Sequence, residues 1–267
     1  MLTYKYNLLK SILREMNSVV VAFSGGVDST FLLKAAVDTL GTNNVLAVTA
    51  DSETYPSSEL LVAKDLAEKI GVKHKVIQTS ELAIPGYSEN SKNRCYFCKS
   101  SLFDHIIPIM ENMGYRNVIY GVIADDMNEH RPGMQAAKEK GIRGPLLEAN
   151  LYKQEIRELS RQFDLPTWDK PSFACLSSRI AYGEYITKEK LTKVEKAEAF
   201  LKTLHVRQVR VRTHQDIARI EVEPNDMKKV LDNHSSIVKE LQDYGYKYIT
   251  LDLIGYQSGS MNKVLAK

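Results

Sequence analysis

The chain of 267 residues is 43% apolar and 26% charged, enough for one large domain or a domain with a small appendage. Its net charge of +3, with no long block of one sign, excludes a basic nucleic-acid-binding tail, and no apolar run approaches the ~20 residues that cross a bilayer. Three cysteines are too few for a disulfide scaffold and are read as thiols, metal ligands or nucleophiles of a reducing compartment.

In chain order, Leu8, Leu9, Ile12, Leu13 and Met16 share a helical face. Met1 to Met16 is therefore read as a first helix and not a signal peptide, and the expected location is the cytoplasm. Val19 to Phe23 is a short continuous apolar run, as in a strand buried on both faces. A glycine turn and a helical stretch from Thr30 to Leu40 follow. The alternation repeats through strands at Val45 to Thr49, Lys75 to Gln78 and Val118 to Gly121. Helices are read at Ser57 to Ile70, Cys98 to Met113, Gln135 to Lys140 and Tyr152 to Phe163. Strands alternating with helices predict an α/β fold with a parallel sheet over residues 1–165. Residues 166–186 hold two prolines and little periodicity, and are read as an active-site loop or linker. Residues 187–267 read as a smaller α+β domain for substrate binding or oligomerisation, with a helix from Thr187, strands at Gln208 to Arg212 and Ile217 to Val222, and a strand at Tyr248 to Leu253.

Ser24-Gly25-Gly26-Val27-Asp28-Ser29 lies between a strand and a helix. Two glycines let the backbone approach an anion, and the following helix presents open N–H groups and a positive dipole end. The Walker pattern is absent, as is its lysine. The bland alternative is an ordinary glycine turn. Cys95-x-x-Cys98 opens a helix, and Cys175 lies in the later loop. The pair reads as a metal site, a redox pair or two small residues at chance spacing. Three cysteines cannot complete a four-thiolate zinc site, but suit an iron–sulfur cluster with one open iron. Lys170 and Arg179 flank Cys175 in sequence and would favour its thiolate; a solvated connector with one incidental Cys is the plainer reading. Arg210 and Arg212 alternate on one strand face, as a phosphate clamp or as a charged outer face paired with Glu221 and Glu223.

The hexapeptide resembles the PP-loop of the ATP pyrophosphatase family, an adenine nucleotide alpha hydrolase-like fold. The resemblance implies attack on the α-phosphate of ATP with loss of pyrophosphate, held by Ser24, Gly25, Gly26, Asp28 and Ser29 with Mg²⁺. Ala50, Asp51, Ser52 and Gly121 would line the adenosine pocket. Further stretches are similar to the LarE branch, ATP-dependent sulfur transferases of nickel-pincer nucleotide cofactor biosynthesis, which serves lactate racemase. They include Asn93 to Lys99, Ala124-Asp125-Asp126 with Arg131-Pro132-Gly133, Gly144 to Leu147, Trp168 to Pro171, Cys175 to Gly183, and the strands at Val209 to Arg212 and Ala218 to Val222. The likeness spans nearly the whole chain.

That resemblance implies adenylation of a carboxylate of pyridinium-3,5-dicarboxylate mononucleotide and its conversion to a thiocarboxylate. Some members sacrifice the sulfur of the cysteine matching Cys175. Others hold a 4Fe–4S cluster on three cysteines, and Cys95, Cys98 and Cys175 place this chain with them. Cys175, Asp28, Lys99 and Arg179 are the implied catalytic residues, and Ser178, Arg179, Arg210 and Arg212 the implied phosphate ligands. Two places depart from the branch: Gly121-Val122-Ile123 where Gly-Thr-Asn is expected, and Gly144 where Ser is expected. Expected partners are the mononucleotide, a sulfur donor and further copies of the chain; no membrane partner is expected, and near-neutral charge argues against tRNA thiolation. An amide-forming ligase and a non-catalytic nucleotide sensor are the remaining alternatives.

Overall fold

A computed structural model describes residues 1–128 and 132–265. The chain forms two compact units: Met1–Ser80 with Cys95–Phe173, and Glu81–Arg94 with Ala174–Lys267.

The first unit contains helix α1 (Leu2–Met16), strand β1 (Val19–Ala22), α2 (Val27–Leu40), β2 (Val45–Asp51), α3 (Ser57–Ile70) and β3 (Lys73–Gln78). It continues through α4 (Arg94–Asn112), β4 (Asn117–Tyr120), α5 (Pro132–Glu139), α6 (Pro145–Glu148) and α7 (Lys153–Gln162). The four strands pair in parallel in the order β3-β2-β1-β4, as the alternating sequence pattern predicts. Successive strand residues face opposite sides. Val19 and Val21 pack with Leu9, Leu13, Phe31 and Ile156, whereas Val20 packs with Phe103, Ile106 and Val118. Helices therefore cover both faces, which is why β1 is apolar throughout. At the sheet edge, β3 alternates exposed and half-buried residues. Its polar start, Lys73-His74, is why sequence pattern finds this strand only from Lys75.

The second unit holds α8 (Lys188–Thr203), β5 (Val209–His214), β6 (Ile217–Val222), α9 (Met227–Asp232), α10 (His234–Asp243) and β7 (Tyr248–Leu251). β5 pairs antiparallel with β6, and β6 parallel with β7. Thr187 caps α8 by accepting from the Lys190 N–H at 3.2 Å. The core gathers Ala197, Leu201, Val209, Val211, Ile220, Val222 and Leu241. Glu81–Arg94 is tied into this unit by Asn90, whose Nδ2 donates to the Ile180 and Ala181 carbonyls at 3.1 and 2.7 Å.

Candidate active site

The phosphate loop leaves the carboxyl end of β1, and Gly121 follows the carboxyl end of its neighbour β4. Chain order reverses direction between these strands, and ligands of open α/β sheets bind at such a switch point. Gly25 takes φ +62°, and Gly26 stands as N-cap of α2 without a side-chain cap, so first-turn N–H groups stay open to an anion. The Ser24 and Ser29 hydroxyls lie 3.1 Å apart, and the Ser24 N–H donates to Ser29 Oγ at 3.3 Å. A Cβ on Gly121 would stand 3.0 Å from Ser29 N and 3.2 Å from Asp28 C, so only glycine brings β4 this close to the loop.

Asp28 is clasped by Lys153 Nζ at 2.5 and 2.7 Å. Burial raises the Asp28 carboxyl above the ordinary aspartate value, although Lys153 pulls the other way. Lys153, the first residue of α7, also donates its backbone N–H to Asp125 Oδ2 at 2.8 Å. Sequence reasoning missed Lys153. A signal existed: a cation at a helix N-terminus opposes the dipole and needs a partner. Around the expected nucleotide pocket, Gln78 Nε2 donates to Asp51 Oδ2 at 2.8 Å, and Ser52 Oγ lies 3.3 Å from Thr54 Oγ1.

Cys95 and Cys98 occupy the first turns of α4, three residues apart and on one helical side. Cys95 is exposed and Cys98 half-buried. Lys99 lies beside them, its Nζ 5.8 Å from the Phe103 ring centroid. Cys175, also half-buried, belongs to the second unit. Among the described residues no three His, Cys, Asp or Glu side chains are gathered as a metal-holding group. Arg131 lies outside the described residues.

In the second unit, the three arginines read as phosphate ligands are buried, and the outer-face alternative for Arg210 and Arg212 does not hold. Arg179, Arg210 and Arg212 are 1%, 7% and 5% exposed. Arg179 pairs two-pronged with Glu198, Nε to Oε1 at 2.8 Å and Nη2 to Oε2 at 3.0 Å, and its Nη1 donates to the Ala174 and Cys175 carbonyls and to Ser178 Oγ. Arg212 pairs with Glu221 Oε2 through Nε and Nη2 at 2.9 and 2.7 Å, and its Nη1 reaches the Ser178 carbonyl at 3.2 Å. Arg210 lies over the Tyr256 ring at 5.4 Å. Burial, then the adjacent Arg179 charge, lowers its guanidinium to about 10. Ser178 joins Arg179 and Arg212, accepting from Arg179 at Oγ and from Arg212 at its carbonyl, and Arg210 lies close enough for its charge to act on Arg179 and Glu198. Of the cations flanking Cys175 in sequence, Lys170 pairs with Glu59 at 2.6 Å, whereas Arg179 pairs with Glu198 and also donates to the Cys175 carbonyl at 2.9 Å.

The sequence profile of the NAD synthase family matches residues 2–97, which include the phosphate loop. The chain is 47% identical to an uncharacterised protein of Synechocystis sp. (strain ATCC 27184 / PCC 6803 / Kazusa) over the full length of both. It is 37% identical to the pyridinium-3,5-bisthiocarboxylic acid mononucleotide synthase of Lactiplantibacillus plantarum (strain ATCC BAA-793 / NCIMB 8826 / WCFS1), covering 100% of this chain and 96% of the relative. A Methanocaldococcus jannaschii protein is 28% identical over 94% of this chain and 96% of its own. With a phosphate loop at the switch point of a parallel sheet and full-length identity to a thiocarboxylate-forming synthase, the chain belongs to the LarE family of ATP-dependent sulfur transferases.

Proposed function

We propose that this enzyme adenylates a carboxylate of pyridinium-3,5-dicarboxylate mononucleotide and converts it to a thiocarboxylate in nickel-pincer nucleotide cofactor biosynthesis. The observation that carries this reading is the 37% identity, over the whole chain, to a pyridinium-3,5-bisthiocarboxylic acid mononucleotide synthase. A carboxylate oxygen attacks the α-phosphorus of ATP, and pyrophosphate leaves with its electron pair. Sulfide then attacks the acyl carbon, AMP departs with the former carboxylate oxygen, and the thiocarboxylate remains. Adenylation makes a poor leaving group a good one, which is the only use ATP has in this exchange.

Ser24, Gly25, Gly26 and Ser29 hold the pyrophosphate, with Asp28 on the Mg²⁺ of the Mg·ATP substrate. Ala50, Asp51, Ser52 and Gly121 line the adenosine. Ser178, Arg179, Arg210 and Arg212 take the mononucleotide phosphate; the buried carboxylates of Glu198 and Glu221 fix the guanidinium planes of Arg179 and Arg212. Lys99 and Arg179 stabilise charge during acyl transfer. Functionally, residues 1–165 bind nucleotide, 166–186 form the active-site loop that carries Cys175, Ser178 and Arg179, and 187–267 bind substrate and other copies in a homo-oligomer.

Three thiolates fit, in number and donor type, a 4Fe–4S cluster with one open iron, so Cys95, Cys98 and Cys175 would hold it. When bound, such a cluster supplies the incoming sulfur. The protein is read as cytoplasmic, recharged by a separate sulfur donor.

Anaerobically purified protein, assayed with ATP and the pyridinium substrate, is expected to contain iron and acid-labile sulfide and to release AMP and thiocarboxylate. Cys95→Ala should lose iron and product together. Iron-free protein that forms one product per chain while Cys175 loses sulfur mass would replace the cluster by sacrificial transfer. AMP release driven by ammonia, or by tRNA alone, would overturn the substrate assignment.

A further inference from the structure

The two carbonyls around the first glycine of the phosphate loop are both held by side chains from outside it. Tyr55 Oη donates to the Ser24 carbonyl at 2.9 Å. Lys170 Nζ donates to the Gly25 carbonyl at 3.0 Å. A trans peptide is planar, with its C=O and N–H on opposite sides, and the described chain contains no cis bond. Pinning the Ser24 carbonyl therefore aims the Gly25 N–H, and pinning the Gly25 carbonyl aims the Gly26 N–H. Among the described residues neither N–H donates to a protein acceptor. Gly25 at φ +62° has no Cβ to resist rotation of these peptides, so the loop sequence alone does not choose their orientation.

The two anchors are themselves fixed. Lys170 pairs with Glu59 Oε2 at 2.6 Å, the two side chains being 18% and 13% exposed. Arg157 holds the backbone that carries Lys170, donating to the Trp168 and Lys170 carbonyls at 2.6 and 2.9 Å. Phe173 stands edge-on to the Tyr55 ring at 5.6 Å. Burial first, then the Glu59 and Asp51 charges, pushes the Tyr55 phenol far above its ordinary value and keeps it a donor.

We propose that Tyr55 and Lys170 are positioning residues that preset the two peptide planes of the phosphate loop, so that the Gly25 and Gly26 N–H groups face the pyrophosphate portion of ATP. The inference rests on the reading of this loop as the ATP site. Each acts by holding a loop carbonyl in place. A loop with either peptide turned would present a carbonyl oxygen to an anion in place of an N–H.

Calorimetric titration of the full-length protein with magnesium pyrophosphate, and separately with AMP, tests this. Tyr55→Phe and Lys170→Met should each weaken pyrophosphate binding about tenfold or more, the loss of one hydrogen bond that orients a charge-binding amide. AMP affinity should change by less than about threefold. Lys170→Met leaves Glu59 unpaired, so the double variant Lys170→Met/Glu59→Gln removes that destabilising charge; it should bind pyrophosphate as weakly. A structure of Tyr55→Phe or of the double variant should show a rotated peptide at Gly25 or Gly26. Unchanged pyrophosphate affinity in the variants, or parallel loss of AMP and pyrophosphate binding with a lower melting temperature, would overturn the proposal. Wild-type protein that binds neither ligand would instead sink the ATP-site reading, and the peptide orientation in the variant structures would then decide the positioning claim alone.

Discussion

Arg179 and Glu198 meet as a buried two-pronged pair, with Nε and Nη2 on the two carboxylate oxygens at 2.8 and 3.0 Å. Glu198 Oε1 also accepts the Val211 N–H at 3.0 Å, which ties α8 to β5. Burial works to raise the Glu198 carboxyl, but Arg179 and then Arg210 outweigh it, and the group ends below its ordinary 4.5. Its contribution is therefore fully present above pH 4.5 and lost as pH falls through the lower folded-state value. Glu198→Gln should cost about 3–5 kcal/mol at neutral pH, since it leaves a buried guanidinium unpaired. The gap to wild type should narrow as pH falls below 4.5. Urea unfolding across that range checks both; a gap independent of pH would remove the linkage.

Gly121 carries the contact between β4 and the phosphate loop. Gly121→Ala would place its methyl 3.0 Å from Ser29 N, where backbone and not a flexible side chain must give way. Overpacking of this kind costs about 1–3 kcal/mol. Because the strain falls on the first turn of α2, the KM for ATP should rise about tenfold or more for a displacement of the anion-binding N–H groups. Steady-state pyrophosphate release against ATP concentration measures it. A stability loss without a change in KM would place the strain elsewhere.

Val122 and Gly144, which stand where the sequence reading expects Thr and Ser, pack against each other. Val122 Cγ1 occupies the space in which a Cβ on Gly144 would stand. Val122 is 4% exposed and has little room to withdraw. Gly144→Ser should destabilise by about 1–3 kcal/mol, and Val122→Ala should relieve most of that cost in the double variant. A thermodynamic cycle by chemical unfolding gives the coupling. Additive single effects would show that the two positions adapt independently.

Much of the first unit was legible because its strands β1 and β2 are buried on both faces. The Val19–Ala22 run and the Ser57–Ile70 helix declare themselves through local periodicity and glycine punctuation. The phosphate loop was legible for the same reason, since its glycines have a mechanical purpose between a strand and a helix. What escaped depends on contacts between residues far apart in sequence. Asn90 joins the second unit through carbonyls about ninety positions away, and no local pattern announces that. Tyr55 and Lys170 reach the loop from 31 and 145 residues away, with side chains that look like ordinary loop residues. Arg210 and Arg212 alternate as surface residues do. Their burial follows from the carboxylates that meet them, above all Glu221, which is 0% exposed and accepts from Arg212, Arg219 and Ser260.

In the proposed reaction, ATP is spent to turn a carboxylate oxygen into a leaving group. Substrate whose carboxylates carry heavy oxygen tests it most directly, with mass spectrometry of the AMP released during a single turnover. AMP is expected to acquire one heavy oxygen for each thiocarboxylate formed, because the bond from that oxygen to phosphorus survives the attack by sulfur. Thiocarboxylate formed together with unlabelled AMP, the heavy oxygen appearing in water or elsewhere, would overturn it.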